Sequence, residues 1–291
     1  MRIVTGSILL ISFALVSSQA SAQSGLATRV AELEAQVEAL TNALEGAQEI
    51  LQFVRIEGDP INGLAGPHWI IEGANVHVRS GAGGTGDGCN PRLPCTPTGL
   101  GNLIVGYNES ARPAEPLEDR TGSHNLVVGD WHSYSSFAGF VVGIGNQVLA
   151  RHASVCGGNE NVASGTGTSV SGGRGNEAIG NFSSVSGGVF NTAVGFESSV
   201  SGGRANEAIG QRSSVSGGQS NRASGSHSSV SGGASNEASG GWASVSGGRN
   251  NAAGPLLVPT GSGNFTSVSG GANRTALNDF NWAAGSLLEP N

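Results

Sequence analysis

The phrase Ser-Val-Ser-Gly-Gly returns at every fifteenth position between Ser154 and Gly254, and no other feature of the 291-residue chain restricts its fold so strongly. A fixed internal period means one structural unit stacked on copies of itself. The phrase begins at Ser154, where Cys156 replaces its second Ser, and at Ser169, Ser184, Ser199, Ser214, Ser229 and Ser244, and again at Ser267. Counting from that first Ser, position 2 is Val155, Val170, Val185, Val200, Val215, Val230, Val245 and Val268. Position 8 is Asn161, Asn176, Asn191, Asn206, Asn221, Asn236 and Asn251, and position 10 is Ala in the same copies. Positions 4 and 5 are Gly in every copy.

Val between two Ser alternates with a period of 2, so Val turns to one side of a strand and both Ser to the other. Ala at position 10 is expected to face the same interior. Gly-Gly supplies backbone conformations that a Cβ forbids. Asn tolerates the left-handed region and bonds its own backbone, so position 8 is read as a turn residue that opens the second strand or closes the turn. Glycine costs about 1 kcal/mol per helical position relative to Ala, which argues against a helix. Val, Asn and Ala held in register argue against a disordered Gly/Ser linker. The expectation is an all-β repeat: a parallel β-roll or solenoid of short strands stacked ~4.8 Å apart. Val and Ala are its only constant apolar residues, so further surface is expected to be buried between chains. Ile179, Val194 and Ile209 at position 11 point away from the interior and are candidates for that contact.

Asn102-Leu-Ile-Val-Gly106, Asn125-Leu-Val-Val-Gly129 and the Ser-Val-Ser-Gly-Gly series resemble the YadA-like head repeats of trimeric autotransporter adhesins. The likeness covers residues 101–275. It implies a left-handed roll, three chains side by side, and attachment to cells, matrix or glycans. The chain departs from that family in two ways. The tail at 276–291 does not read as the family's membrane anchor of amphipathic strands, each about ten residues long. The heptad segment precedes the head instead of following it. Anchoring and self-translocation are therefore not carried over.

Residues 1–22 read as a secretory signal, with Arg2, the apolar run Ile8 to Val16 and the small-residue site Ala20-Ser-Ala22. This predicts a secreted or cell-surface protein with no membrane span after cleavage. Residues 23–57 carry heptads, with Val30, Val37, Leu44 and Leu51 at a and Leu26, Leu33, Leu40, Ala47 and Val54 at d. Val at a with Leu at d leans to a dimer. The head resemblance implies a trimer, and the homotrimer is the expectation. Residues 58–100 form a connector, with Gly58-Asp-Pro60 ending the helix and Trp69 to Arg79 alternating as one or two strands. In an exported protein Cys89 and Cys95 favour a disulfide. Cys156 stands where other repeats have Ser, as a small buried thiol or as one half of an interchain bond.

The copies at 102 and 125, and those at 244 and 267, share one lengthened interval, eight positions beyond the regular period. The inserts at Ala111 to Glu118 and Pro255 to Ser262 are loops suited to specific contacts. The aromatic patch from Trp131 to Phe140 is expected to cap the first coils, with carbohydrate stacking as its functional alternative.

Catalytic chemistry is not expected. The six His are scattered, and none has zinc-ligand companions. The Asp residues form no calcium loop, and a chain without Lys completes no Walker motif. No cofactor or metal is expected. All 14 basic residues are Arg, and within the repeats Arg174, Arg204, Arg212, Arg222 and Arg249 balance Glu160, Glu177, Glu197, Glu207 and Glu237. That leaves no basic stripe for nucleic acid. Three readings compete with the adhesin: a structural extracellular or envelope fibre without a ligand, an ice-binding solenoid with Ser in place of Thr ladders, and a polysaccharide-acting β-helix.

Overall fold

The structure is a computed structural model that describes residues 4–87, 96–109, 119–254 and 264–284. The chain divides into two compact units, Met1–His77 and Val78–Asn291.

The first unit is one helix and one hairpin. Helix α1 (Val4–Leu51) runs unbroken for 48 residues, through the expected boundary between signal and coil. Among the described residues no helix is long and apolar enough to cross a membrane. Leu26, Val30, Leu33, Val37, Leu40, Leu44 and Leu51 are all exposed. The helix ends at Leu51, short of the expected 57, and Val54 is a strand residue instead of a heptad d position. Strand β1 (Val54–Glu57) pairs antiparallel with β2 (His68–Ile71), Val54 opposite Ile71 and Ile56 opposite Trp69. Val54 and Ile56 are β-branched and alternate with Arg55 and Glu57, so cross-strand pairing outweighs the heptad continuation.

The second unit is a parallel β-solenoid of about ten coils. Among the described residues one sheet holds 12 short strands, from β3 (Leu103–Val105) to the strand Trp282–Ala283. The other holds ten, from Ser133–Tyr134 to Thr275–Ala276. A third line of single bridges joins position 6 of successive coils, from Ile144 to Ala272. The solenoid thus continues through Ala283, into the stretch expected to be a tail. Ser199 pairs with Ser184 and Ser214, and Glu207 with Thr192 and Arg222, so the sequence period is also the pairing register.

Inside, the position-2 valines from Val155 to Val268 stack in one column and the position-10 alanines from Ala163 to Ala276 in another. Ser199 is half-buried, Val200 buried and Ser201 exposed, the alternation expected of a strand with one inward face. At the N-terminal end Val148 and Tyr134 take the Ala place, and Tyr134 donates its hydroxyl to Asn108 Oδ1 at 3.1 Å. These larger side chains fill the first coils, the role expected of part of the aromatic patch.

Backbone bonds run along the axis in both directions. Most amides donate to the following coil, as in Ser201 to Val215 (3.0 Å) and Ile209 to Ala223 (2.8 Å). Positions 7 and 14 have positive φ, +53° at Ala205 and +55° at Arg212, which reverses the peptide. Their amides donate backwards, Ala205 to Val189 (2.9 Å) and Arg212 to Phe196 (2.8 Å). Each left-handed corner therefore ties a coil to the one before it.

The position-8 asparagines directly precede the second-sheet strands, one of the two places expected from sequence, but they are not left-handed. They are fully buried and form a ladder. Asn206 Oδ1 accepts the amide of Asn221 at 2.9 Å, and its Nδ2 donates to the carbonyls of Gly202 (2.8 Å) and Gly218 (3.0 Å). The same three bonds recur from Asn161 to Asn236. His132 starts the column as an imidazole substitute. Its Nδ1 accepts the Asn146 amide at 3.2 Å and its Nε2 faces the Val128 carbonyl at 3.0 Å. Backbone amides only donate, so Nε2 carries the proton. Arg274 closes the column, donating its amide to Asn251 Oδ1 at 2.9 Å.

Position 15 is also buried but less well satisfied. The hydroxyls of Ser198, Ser213 and Ser228 have no protein partner, whereas Thr168 bonds the Gly165 carbonyl at 2.7 Å. Ala153 and Ala243 occupy the same place elsewhere and are just as buried. Ser213→Ala is therefore expected to leave stability unchanged or raise it by up to about 1 kcal/mol, measured by denaturant unfolding. A clear loss of stability would mean that the hydroxyl is partnered in solution.

Candidate binding face

Position 14 lies just before each first-sheet strand, at a left-handed corner that turns its side chain out of the coil. In the last coils it is His227, Trp242, Phe265 and Phe280, with φ between +55° and +61°. Bulky residues seldom occupy this region, at a cost of order 1–3 kcal/mol. The backward amide bond helps to hold them there: Trp242 to Ser226 and Phe265 to Gly241 at 2.8 Å, Phe280 to Asn264 at 3.0 Å.

One coil rise apart, the four rings form a parallel stack. Centroid separations are 4.0 Å from His227 to Trp242, 6.2 Å from Trp242 to Phe265 and 5.3 Å from Phe265 to Phe280, with planes within 7°. Such pairs contribute about 0.5–1.5 kcal/mol each beyond area burial. Trp242 and Phe265, at 6.2 Å, are the most widely separated neighbours of the stack. Part of the indole face is left uncovered, and Trp242 remains 55% and Phe280 77% exposed. In sequence Ser226, Gly241, Asn264 and Asp279 directly precede the four rings, and Ser229, Ser244, Ser267 and Trp282 stand two places after them. The stripe is thus aromatic, bordered by small polar groups, and mostly uncharged.

Farther along the solenoid the position-14 residues Phe182 and His152 meet position-13 rings edge-on, Phe196 at 5.8 Å and Phe137 at 5.7 Å. Between these groups Arg212 Nε pairs with Glu197 at 2.7 Å. On the position-9 line Arg222 lies between Glu207 (3.1 Å) and Glu237 (3.9 Å). Glu207 and Glu237 are therefore part of an exposed charge ladder, and such pairs contribute little to stability, whereas Glu177 stands between Val162 and Thr192.

Among the described residues the titratable group with a marked shift is Asp87. Burial opposes ionisation of its carboxyl, but hydrogen bonding from Ser80 and from the hydroxyl and backbone amide of Thr98 outweighs that and holds it well below the usual carboxylate range. Thr98 Oγ1 lies 2.6 Å from Oδ2, and His124 Nδ1 is 3.9 Å from Oδ1. The bonds favour the ionised form, so their contribution is complete at neutral pH and is lost only in strong acid. This corner ties Ser80 and Thr98 to the first coils. Among the described residues no group of three or more His, Cys, Asp or Glu is placed to hold a metal ion.

The sequence-predicted contact residues are scattered. Cys156 is exposed and free, not a buried thiol, because position 3 points outwards. Cys89, Cys95 and both inserted loops lie outside the described residues. Ile179 and Val194 are exposed, as expected of position 11, and Ile209 is half-buried. The position-14 stack was not anticipated. Its signal was a variable position that becomes aromatic on the repeat period, obscured where the longer interval displaces Phe265. The chain matches no known family model, and no curated protein matches it significantly.

Proposed function

We propose that the protein is an exported, self-associating attachment rod, comparable to the heads of trimeric adhesins, that holds cells, matrix or glycans through its aromatic corner. The observation that carries this reading is the stack of Trp242, Phe265 and Phe280, kept largely exposed at strained corners of a rigid scaffold. Exposed aromatics in an ordered row mark contact surfaces more often than solvent-facing decoration. The Ser and Gly borders suit a neutral, hydroxyl-rich ligand whose CH-rich face packs on the rings. The exposed heptad face of α1 supports self-association, with three copies as the proposed number. Several copies of one stripe would then add avidity.

The test is attachment of the purified exported chain to cell, matrix and glycan surfaces, compared with Trp242→Ala. The variant is expected to lose about tenfold or more in apparent affinity while its far-UV spectrum is unchanged. Saturable binding that the variant retains would move the contact away from this corner. No saturable ligand on any surface would favour the ligand-free fibre. Light scattering gives the copy number independently.

A further inference from the structure

Beyond its heptads, α1 carries a single interchain charge code. With Val30 and Val37 at a, Arg29 takes position g and Glu34 position e of the following heptad. Arg29 is the only basic residue between 25 and 48. The acidic residues Glu32, Glu38 and Glu45 take the outer b and c positions. One g position and one e position in this stretch are therefore charged, with opposite signs. Both side chains are exposed on α1.

The helical path from Arg29 to Glu34 separates them by about 140° around the axis, on opposite flanks of the apolar seam. They do not face each other within one helix. Between parallel, in-register helices, position g of one heptad meets position e of the next heptad on the neighbouring chain. An antiparallel pair instead sets g against g and e against e, where Arg29 has no acidic partner. Beside Glu34 the helix surface forms an apolar depression lined by Val30, Leu33 and Val37, with Glu34 and Glu38 at its rim. That is the shape of a hole awaiting a neighbour's knob.

We propose that α1 docks on copies of itself in parallel and in register, with Arg29 of each chain paired to Glu34 of the next. The inference rests on the self-association proposed above. Charge complementarity at these two positions selects the occupant, a second copy of this chain in one orientation.

The test uses the full chain with Arg29→Glu, Glu34→Arg and the double exchange, each followed by light scattering against concentration. Each single reversal sets like charges opposite each other at every interface. Its dissociation midpoint is expected to rise about tenfold or more, with a larger loss at low salt. The double exchange restores the opposite signs and is expected to return the midpoint to within about threefold of the wild type. Its recovery also excludes misfolding as the cause of the single effects. Wild-type assembly with unaffected single variants, or no rescue by the double exchange, overturns the parallel pairing but leaves self-association standing. A wild-type chain that is monomeric at every concentration overturns both.

Discussion

Gly203→Ala is expected to unfold the middle of the solenoid, whereas Gly202→Ala, at the preceding position, is expected to leave it intact. A Cβ on Gly203 would lie 2.2 Å from the Gly218 carbonyl oxygen and 2.5 Å from Asn206 Nδ2, at a φ of +89°. Neither neighbour yields, since one is backbone of the next coil and the other is held by the ladder. Clash and strain together predict a loss above about 4 kcal/mol. A Cβ on Gly202 meets nothing within 4 Å. Its substitution is expected to cost within about 1 kcal/mol. Denaturant unfolding of the two variants side by side checks the contrast. Similar midpoints would mean that the coils are not stacked in the register described.

The second large effect is expected at Asn206. Asn206→Ala strips the side-chain partner from the buried Asn221 amide and from the part-buried Gly202 carbonyl, and one of two donors from the Gly218 carbonyl, which keeps the Arg204 amide. Each unsatisfied group costs about 1–3 kcal/mol, so the total is expected to reach roughly 3–5 kcal/mol. Asn206→Asp keeps the volume but sets a carboxylate oxygen against the carbonyls of Gly202 and Gly218. It is expected to be worse than Ala, because a buried charge is added to the lost bonds. Thermal unfolding ranks the three proteins, and hydrogen exchange at the Asn221 amide localises the damage. If the acid variant equals the wild type, the donor role of Nδ2 is wrong.

The architecture was legible because the period is local and strict. Val200 and Ala208 declared their inward faces through alternation, and the return of the same letters predicted the in-register stacking. The task of Asn206 was not legible. Asparagine has a strong local signature as a turn former, and that signature suggested only its place before the strand and its local bond to the Gly202 carbonyl. Two of its three bonds, with the Gly218 carbonyl and the Asn221 amide, reach into the next coil, and sequence spacing carries no direction for them. Ala205, beside it, takes the left-handed corner, a place no residue type monopolises because the backward amide bond supports it. Val54 misled in a similar way. It satisfies the heptad and the strand equally, and the partner that decides between them, Ile71, lies across the hairpin and far along the chain. The aromatic corner was hidden by its variability: Arg212 and Trp242 occupy equivalent places, and only the fold sets Phe265 in line with them.

The two oversized connections have a consequence for how such a chain changes over generations. Leu103 pairs with Leu126 and Ser244 with Ser267, so the ladder resumes in phase after the lengthened interval as readily as after the regular one. The lattice does not register the extra sequence. Tandem duplication or deletion of whole units then alters reach by ~4.8 Å per unit without redesigning any contact. Insertions introduce novelty at little cost. Span and surface are thereby separately heritable: recombination slippage tunes the first, and drift at positions 7 and 14 tunes the second.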